Sequence, residues 1–355
     1  MEDAQPADRT RWVVGAGGVV AASSHLPHLT VSMTEFRSDL SRREALRTGL
    51  GFGLGALLAP RLAHTLPAAA LQNAAAQGKL ITRVIPSTGE VLPAIGIGTA
   101  RRFDVTTAEE KARIRETLRL FPTLGGKVID TAPSYGAAEA VTGELVSELG
   151  IRDTLFLATK VSVRGSDPAP GIAQMQESFA KLKTDRVDLM QVWNLGGTAT
   201  LLPVLREMQQ AKKIRYVGVT TSSDQQYPAL EQLMASEKLD FIQIDYAADN
   251  RNAAERILPL AKDKGIGVLV NLPFGRTRVF QNVLNTPVPE FAKEFEAATW
   301  AQVFLKYILA NPAVTCVIPG TAQVKYVQDN TQAMRGALPT AEHLKKIEAL
   351  VGRAM

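Results

Sequence analysis

Lys127-Val128-Ile129-Asp130-Thr131-Ala132-Pro133-Ser134-Tyr135-Gly136 opens with a short apolar run, closes that run with an acid, and continues into a loop of turn-forming residues. An amphipathic stretch, Ala138 to Leu149, follows, and a second apolar run, Leu155 to Thr159, comes after it. Apolar runs without polar alternation suit strands buried on both faces, which a parallel sheet covered by helices requires. The segment therefore reads as strand, loop, helix, strand.

The same unit recurs on both sides. Further apolar runs lie at Ala94 to Gly98, Val187 to Val192, Ile214 to Val219, Phe241 to Asp245, Val268 to Leu272 and Val314 to Ile318. Helical candidates between them include Thr107 to Leu120, Ile172 to Leu182, Leu201 to Gln210, Ala253 to Lys264 and Thr299 to Leu309. Eight strand–helix units predict an α/β fold, a (β/α)8 TIM barrel, whose usual size is roughly 250 residues. A doubly wound open sheet is the alternative, but no glycine-rich phosphate turn follows the first strand. Leu80 to Ile85 and Val91 to Ile95 flank Pro86-Ser87-Thr88-Gly89, a turn signal, so an N-terminal hairpin opens the domain. Leu344, Ile347 and Leu350 give Ala341 to Val351 the spacing of a C-terminal helix packed outside the barrel. No linker or repeat divides residues 80–355, which are expected to form one domain.

Composition removes several functions. Of 355 residues, 46% are hydrophobic and 21% charged, which argues against a disordered chain or a coiled coil. The net charge of +5 arises from 40 Lys and Arg interspersed with 35 Asp and Glu, a solvated surface without the clustering that nucleic-acid binding needs. One cysteine, Cys316, excludes an intrachain disulfide and a thiolate metal cluster. Of the 4 histidines, His25, His28 and His64 precede residue 80, leaving His343 alone in the body. A histidine metal site and a Ser-His-Asp triad are not expected; no metal is assigned.

Residues 1–79 read as an address. Arg42-Arg43 precede an uncharged, glycine-rich run from Gly49 to Ala59, and small residues follow at Pro67 to Ala70 and Ala74 to Ala76. Paired arginines, a mildly apolar core and a small-residue cleavage zone resemble a twin-arginine export signal. Export through the twin-arginine machinery, a periplasmic or otherwise exported location and no membrane span in the mature chain are the expectations. Met33 is the expected true start, with residues 1–32 upstream of it. Gly51-Phe52-Gly53-Leu54-Gly55-Ala56 fits a dinucleotide fingerprint but sits in the signal core, outside any strand–helix unit, and is set aside.

Chemistry in a barrel sits on the loops after the strands. Asp130 and Tyr135 follow the second strand, with Glu139 beyond, and Lys160 ends the third. An ammonium beside a phenol favours the phenolate, while a carboxylate keeps the lysine charged. Such a tyrosine can donate a proton to a carbonyl oxygen as a general acid. Spacing alone favours the plainer reading, a structural Asp130–Lys160 ion pair with Tyr135 as a loop aromatic.

Over nearly its whole length the body resembles the aldo-keto reductase family. The resemblance is carried by Gly96-Ile97-Gly98-Thr99, Asp130-Thr131-Ala132 with Ser134-Tyr135-Gly136, Thr159-Lys160 and Asp188-Leu189-Met190-Gln191-Val192. It continues through Gln243-Ile244-Asp245-Tyr246, Pro273-Phe274-Gly275, Ile318-Pro319-Gly320-Thr321 and Asp329-Asn330. It implies reduction of aldehydes or ketones by NADPH on a barrel, with Asp130, Tyr135 and Lys160 as three members of a catalytic tetrad. Trp193 stands where the family has the fourth, a histidine; indole offers one N–H and no titratable nitrogen.

The resemblance further implies a cofactor groove formed by Gly98, Thr99, Thr220, Thr221, Gln243, Asn271, Pro273, Gly320, Thr321, Asp329 and Asn330. Thr220-Thr221 replace the family's Ser-Asn, Asn271 takes the place of an aromatic that stacks on nicotinamide, and Tyr326 beside Lys325 lies near the place of a phosphate-binding arginine. Asp329 and Asn330 remain to hold adenine. The expected function is hydride transfer from NADP(H) to a small-molecule carbonyl substrate with Tyr135 as proton donor. The alternative is a catalytically silent periplasmic barrel that binds a small carbonyl or sugar-like ligand.

Overall fold

The computed structural model describes residues 78–352. The arginine pair, the apolar run and the small-residue zone of the export signal, together with Met33, lie outside the described residues. Among the described residues, no helix is long and apolar enough to cross a membrane.

A hairpin of β1 (Thr82–Val84) and β2 (Val91–Pro93) comes first. Strands and helices then alternate: β3 (Ile97–Gly98), α1 (Ala108–Leu120), β4 (Val128–Asp130), α2 (Ala138–Leu149), β5 (Phe156–Val161) and α3 (Ala169–Lys181). Next are β6 (Val187–Val192), α4 (Thr198–Gln210), β7 (Ile214–Thr220), α5 (Tyr227–Ser236), β8 (Phe241–Asp245) and α6 (Ile257–Lys264). The last part holds β9 (Gly267–Asn271), α7 (Arg278–Asn282), α8 (Trp300–Leu309), β10 (Cys316–Val317), α9 (Val324–Gln332) and α10 (Ala341–Val351).

β3 to β10 form a parallel sheet in sequence order. Hydrogen bonds from Gly96 N to Val317 O (2.8 Å) and from Gly98 N to Pro319 O (3.0 Å) join its two ends, giving a (β/α)8 barrel. The seam needs glycine. A Cβ at Gly98 would lie 2.7 Å from Ile318 O across the seam, and one at Gly96 would lie 2.8 Å from Val128 O on β4 and 3.0 Å from Ile318 Cγ2, so a side chain at either would force this first barrel strand off its neighbours.

Helix starts follow local chemistry. Thr107 and Glu110 make a reciprocal capping box on α1, and Thr340 with His343 makes another on α10. His343, the one histidine of the body, thus caps a helix and stacks on Phe291. Three helices escaped the apolar-period reading, the five-residue α7 among them. Pro228 at the start of α5 looks like a breaker but falls where its missing N–H costs nothing. α9 buries only Val327, Asn330 and Thr331, too few apolar residues to leave a pattern.

The strands' two-residue period sorts the lumen into layers. Val128, Phe156, Ala158, Leu189, Tyr216, Phe241, Leu269 and Cys316 point into one apolar cluster, which Ile85 and Leu92 of the hairpin complete from the N-terminal end. Phe156, Tyr216 and Phe241 pack with ring centres 5.5–6.0 Å apart. Tyr216 OH donates to Glu90 Oε2 (2.6 Å), tying the hairpin to the barrel, and burial with that carboxylate pushes the phenol up to about 12. Two residues further along the same strands stand Asp130, Lys160, Gln191, Gln243 and Asn271. Apolar below and polar above, the lumen carries its chemistry at the C-terminal mouth.

Candidate active site

Asp130 ends β4 and Lys160 stands one residue before the end of β5, on strands that pair in register from Val128↔Phe156 to Asp130↔Ala158. Lys160 Nζ donates to Asp130 Oδ2 (2.6 Å) and to Thr131 O (2.8 Å), and both side chains are sealed, at 1% and 4% exposure. The ammonium lies 4.9 Å from the centre of the Tyr135 ring. Burial alone would lower the lysine's pKa; the Asp130 charge, and after it Tyr135, outweigh burial and hold Lys160 above its ordinary range. A permanent cation therefore sits under a half-buried tyrosine.

Tyr135 is held there by its loop. Its N–H donates to Ala132 O (3.1 Å), and Asp104 Oδ1 accepts from Ala137 N (2.9 Å). Gly136 has φ +60, and a Cβ there would lie 2.2 Å from Asp104 Oδ1, so only glycine lets the turn close over that carboxylate.

The other oxygen of Asp130 faces two amides. Gln191 Nε2 donates to Asp130 Oδ1 at 3.1 Å and Gln243 Nε2 at 2.8 Å. Asn271 Nδ2 then donates to Gln243 Oε1 (3.3 Å) and to Thr221 O (3.1 Å). Gln191 was not among the residues singled out in the sequence; its signal was parity, since it shares a face with Leu189. Glu139 lies elsewhere, buried between α2 and α3, where it accepts from Thr159 Oγ1 (2.6 Å) and Ser178 Oγ (3.2 Å). Burial pushes its carboxyl up.

A polar layer of this kind gathers a buried ammonium, a carboxylate and three amides beneath a tyrosine at the mouth of the barrel. The sequence profile of the Aldo/keto reductase family matches residues 94–351. The chain belongs to this family. It is 33% identical over 201 residues to aldo-keto reductase YhdN of Bacillus subtilis (strain 168), a match that spans 52% of this chain and 60% of that protein. It is 28% identical over 267 residues to methylglyoxal reductase YeaE of Escherichia coli (strain K12), spanning 73% of this chain and 92% of that protein. An aldo-keto reductase from Klebsiella pneumoniae in complex with NADPH has the same fold at 22% identity, with a TM-score of 0.66 over 78% of this chain and 97% of that one.

In this aldo/keto reductase, Trp193 is half-buried directly after β6. Among the described residues its indole N–H has no hydrogen-bond partner. The next residue, Asn194, has φ +47 and is pinned by its N–H to Thr220 Oγ1 (3.0 Å) and by its carbonyl to Gln226 Nε2 (2.8 Å). Thr221 Oγ1 donates to Gln226 Oε1 (2.6 Å), so Thr220 and Thr221 brace the loops beside Trp193. Gly98 and Gly320 meet at the barrel seam, with Thr99 buried beside them. Pro273 is buried in the loop after β9.

Beyond β10, Asn330 Nδ2 donates to Thr321 Oγ1 (2.9 Å) and folds that loop. Asp329 accepts from Thr299 Oγ1 (3.0 Å to each oxygen) and from Gln302 Nε2 (2.7 Å), holding the start of α8. Tyr326 stands 49% exposed with Lys325 Nζ 4.7 Å from its ring centre. Among the described residues, Thr99 Oγ1, Thr131 Oγ1, Asn194 Oδ1 and Asn271 Oδ1 are four of the buried oxygens without partners, and they lie at or within two residues of the ends of β3, β4, β6 and β9. Such atoms are costly to leave unpaired and fit a ligand that brings hydrogen-bond donors.

Proposed function

We propose that this family member reduces a small carbonyl compound with NADP(H), Tyr135 giving the proton to the carbonyl oxygen. The observation that carries this reading is the sealed Lys160–Asp130 pair, 2.6 Å apart, with its ammonium 4.9 Å from the Tyr135 ring. Gly98, Thr99, Gly320, Thr321 and the buried oxygens at the mouth are the groups that would hold the dinucleotide, whose carboxamide and ribose hydroxyls supply donors. When bound, NADPH supplies the hydride.

The protein's own part is acid chemistry. Tyr135 releases its proton toward the substrate oxygen, and Lys160 faces the phenolate that remains. Asp130 keeps Lys160 charged, and Gln191 and Gln243 keep Asp130 Oδ1 paired so that it does not turn away. Trp193, whose indole N–H has no partner among the described residues, borders the substrate and orients its oxygen or ring without titrating. The Arg42-Arg43 pair supports export of the folded protein by the twin-arginine route, which would let it leave with its cofactor.

Nucleotide analysis of the purified, heat-released protein, followed by NADPH oxidation with methylglyoxal and a panel of other carbonyls, tests the reading. Bound NADP(H) and turnover are expected. An empty barrel that retains carbonyl or sugar ligands without turnover would favour the silent binding protein, the reading that Trp193 in the histidine's place supports.

A further inference from the structure

Asn271 closes β9, opposite Asp245 in register. Its Nδ2 hydrogens are both spent inside the protein, on Thr221 O (3.1 Å) and Gln243 Oε1 (3.3 Å). Two acceptors on the nitrogen side fix which way the amide points, so Oδ1 is an acceptor by necessity. That oxygen is buried and, among the described residues, has no hydrogen-bond partner.

Gln243 is in the opposite condition. It is 2% exposed, and its amide hydrogens face Asp130 Oδ1 (2.8 Å) and Gln191 Oε1 (3.4 Å). Turning the first toward a ligand would strip a donor from the carboxylate that keeps Lys160 charged, and turning the second would take it from Gln191 Oε1. Gln243 therefore serves as the support on which Asn271 rests.

We propose that Asn271 Oδ1 reads the carboxamide N–H2 of the bound nicotinamide by a hydrogen bond, with Gln243 holding Asn271 in place. The inference rests on the dinucleotide reading above. An acceptor-only contact selects for the amino group of the carboxamide and is indifferent to its carbonyl. A ring that carries a methyl ketone at the same position cannot satisfy Oδ1, and a site built around a buried acceptor rejects such an analogue more strongly than an apolar pocket would.

The test is equilibrium binding, by calorimetry or protein fluorescence, of NADP+ and its 3-acetylpyridine analogue to the full chain. Wild type is expected to bind NADP+ about tenfold more tightly than the analogue, and Asn271→Leu to bind the two alike. Equal binding of both by wild type overturns the proposal without any variant. Retention of the preference by Asn271→Leu, with its loss in Gln243→Leu, also overturns it and returns the contact to Gln243. Wild type that binds neither dinucleotide refutes the NADP(H) reading itself, and this proposal with it.

Discussion

Gln243 Nε2 on β8 lies 2.8 Å from Asp130 Oδ1 on β4, across the width of the barrel. The bond joins the strand expected to touch a cofactor to the strand that carries Asp130 of the proposed catalytic group. It makes Asp130 a hub: Lys160 on one oxygen, two glutamine amides on the other. Asp130→Asn would leave a lysine of 1% exposure without its anion. Breaking a buried pair in this way costs about 3–5 kcal/mol. Urea unfolding at neutral pH should show a midpoint shifted down accordingly. Because Asp130 holds the Lys160 pKa above its ordinary value, the stabilisation is present throughout the neutral range and fades only as pH rises through the raised value.

Tyr135→Phe keeps the ring over Lys160 and removes the proton. Carbonyl reduction should fall by roughly 10²–10⁴-fold, the usual contribution of a general acid, while the dissociation constant for NADP+ stays nearly unchanged. Single-turnover rates and a binding titration separate the two. Most of the turnover surviving would mean that the proton comes from another group.

Trp193→His restores a titratable ring where the wild type has none. Aromatic stacking is worth about 0.5–1.5 kcal/mol beyond area burial, so ligand affinity should drop several-fold if the indole is a surface for a bound ring. Isothermal titration with the best carbonyl ligand measures this. Unchanged affinity together with unchanged rate would leave Trp193 as pocket wall.

Asp245 is 7% exposed, bonded by Asn250 Nδ2 (2.7 Å) and Tyr227 OH (3.1 Å), and burial and then the neighbouring Asp224 raise it to about 6. A carboxyl raised in the folded state binds its proton more tightly there than when unfolded. Its contribution is therefore present below about pH 4 and is lost as pH rises to about 6. Asp245→Asn should be more stable than wild type at pH 7–8, by up to about 3 kcal/mol, and the difference should vanish below pH 4. Chemical denaturation of both proteins across pH 4–8 decides it.

Changing both Arg42 and Arg43 to Lys should leave folded precursor in the cytoplasm, and the mature wild-type chain should begin between about Ala70 and Gly78. Fractionation and N-terminal sequencing read both outcomes. Undiminished export of the double variant would remove the twin-arginine assignment.

The alternation of apolar runs with amphipathic stretches fixed the barrel from the sequence, because each strand and helix states its own period locally. Asp130, Tyr135 and Lys160 were legible as candidates for the same reason, each at or just beyond the end of an apolar run, while the roles proposed for them came from the family resemblance. What the sequence could not supply was who meets whom across the lumen. Gln191 reads as one more residue of a buried strand, and Gln243 and Asn271 read as independent cofactor contacts. Only closure of the sheet, through the seam at Gly96 and Gly98, brings β4, β6, β8 and β9 around one axis and sets Gln191 and Gln243 on Asp130 and Asn271 on Gln243. Strand period is a property of neighbours in the chain, but the register of eight strands closed on themselves is a property of the whole barrel.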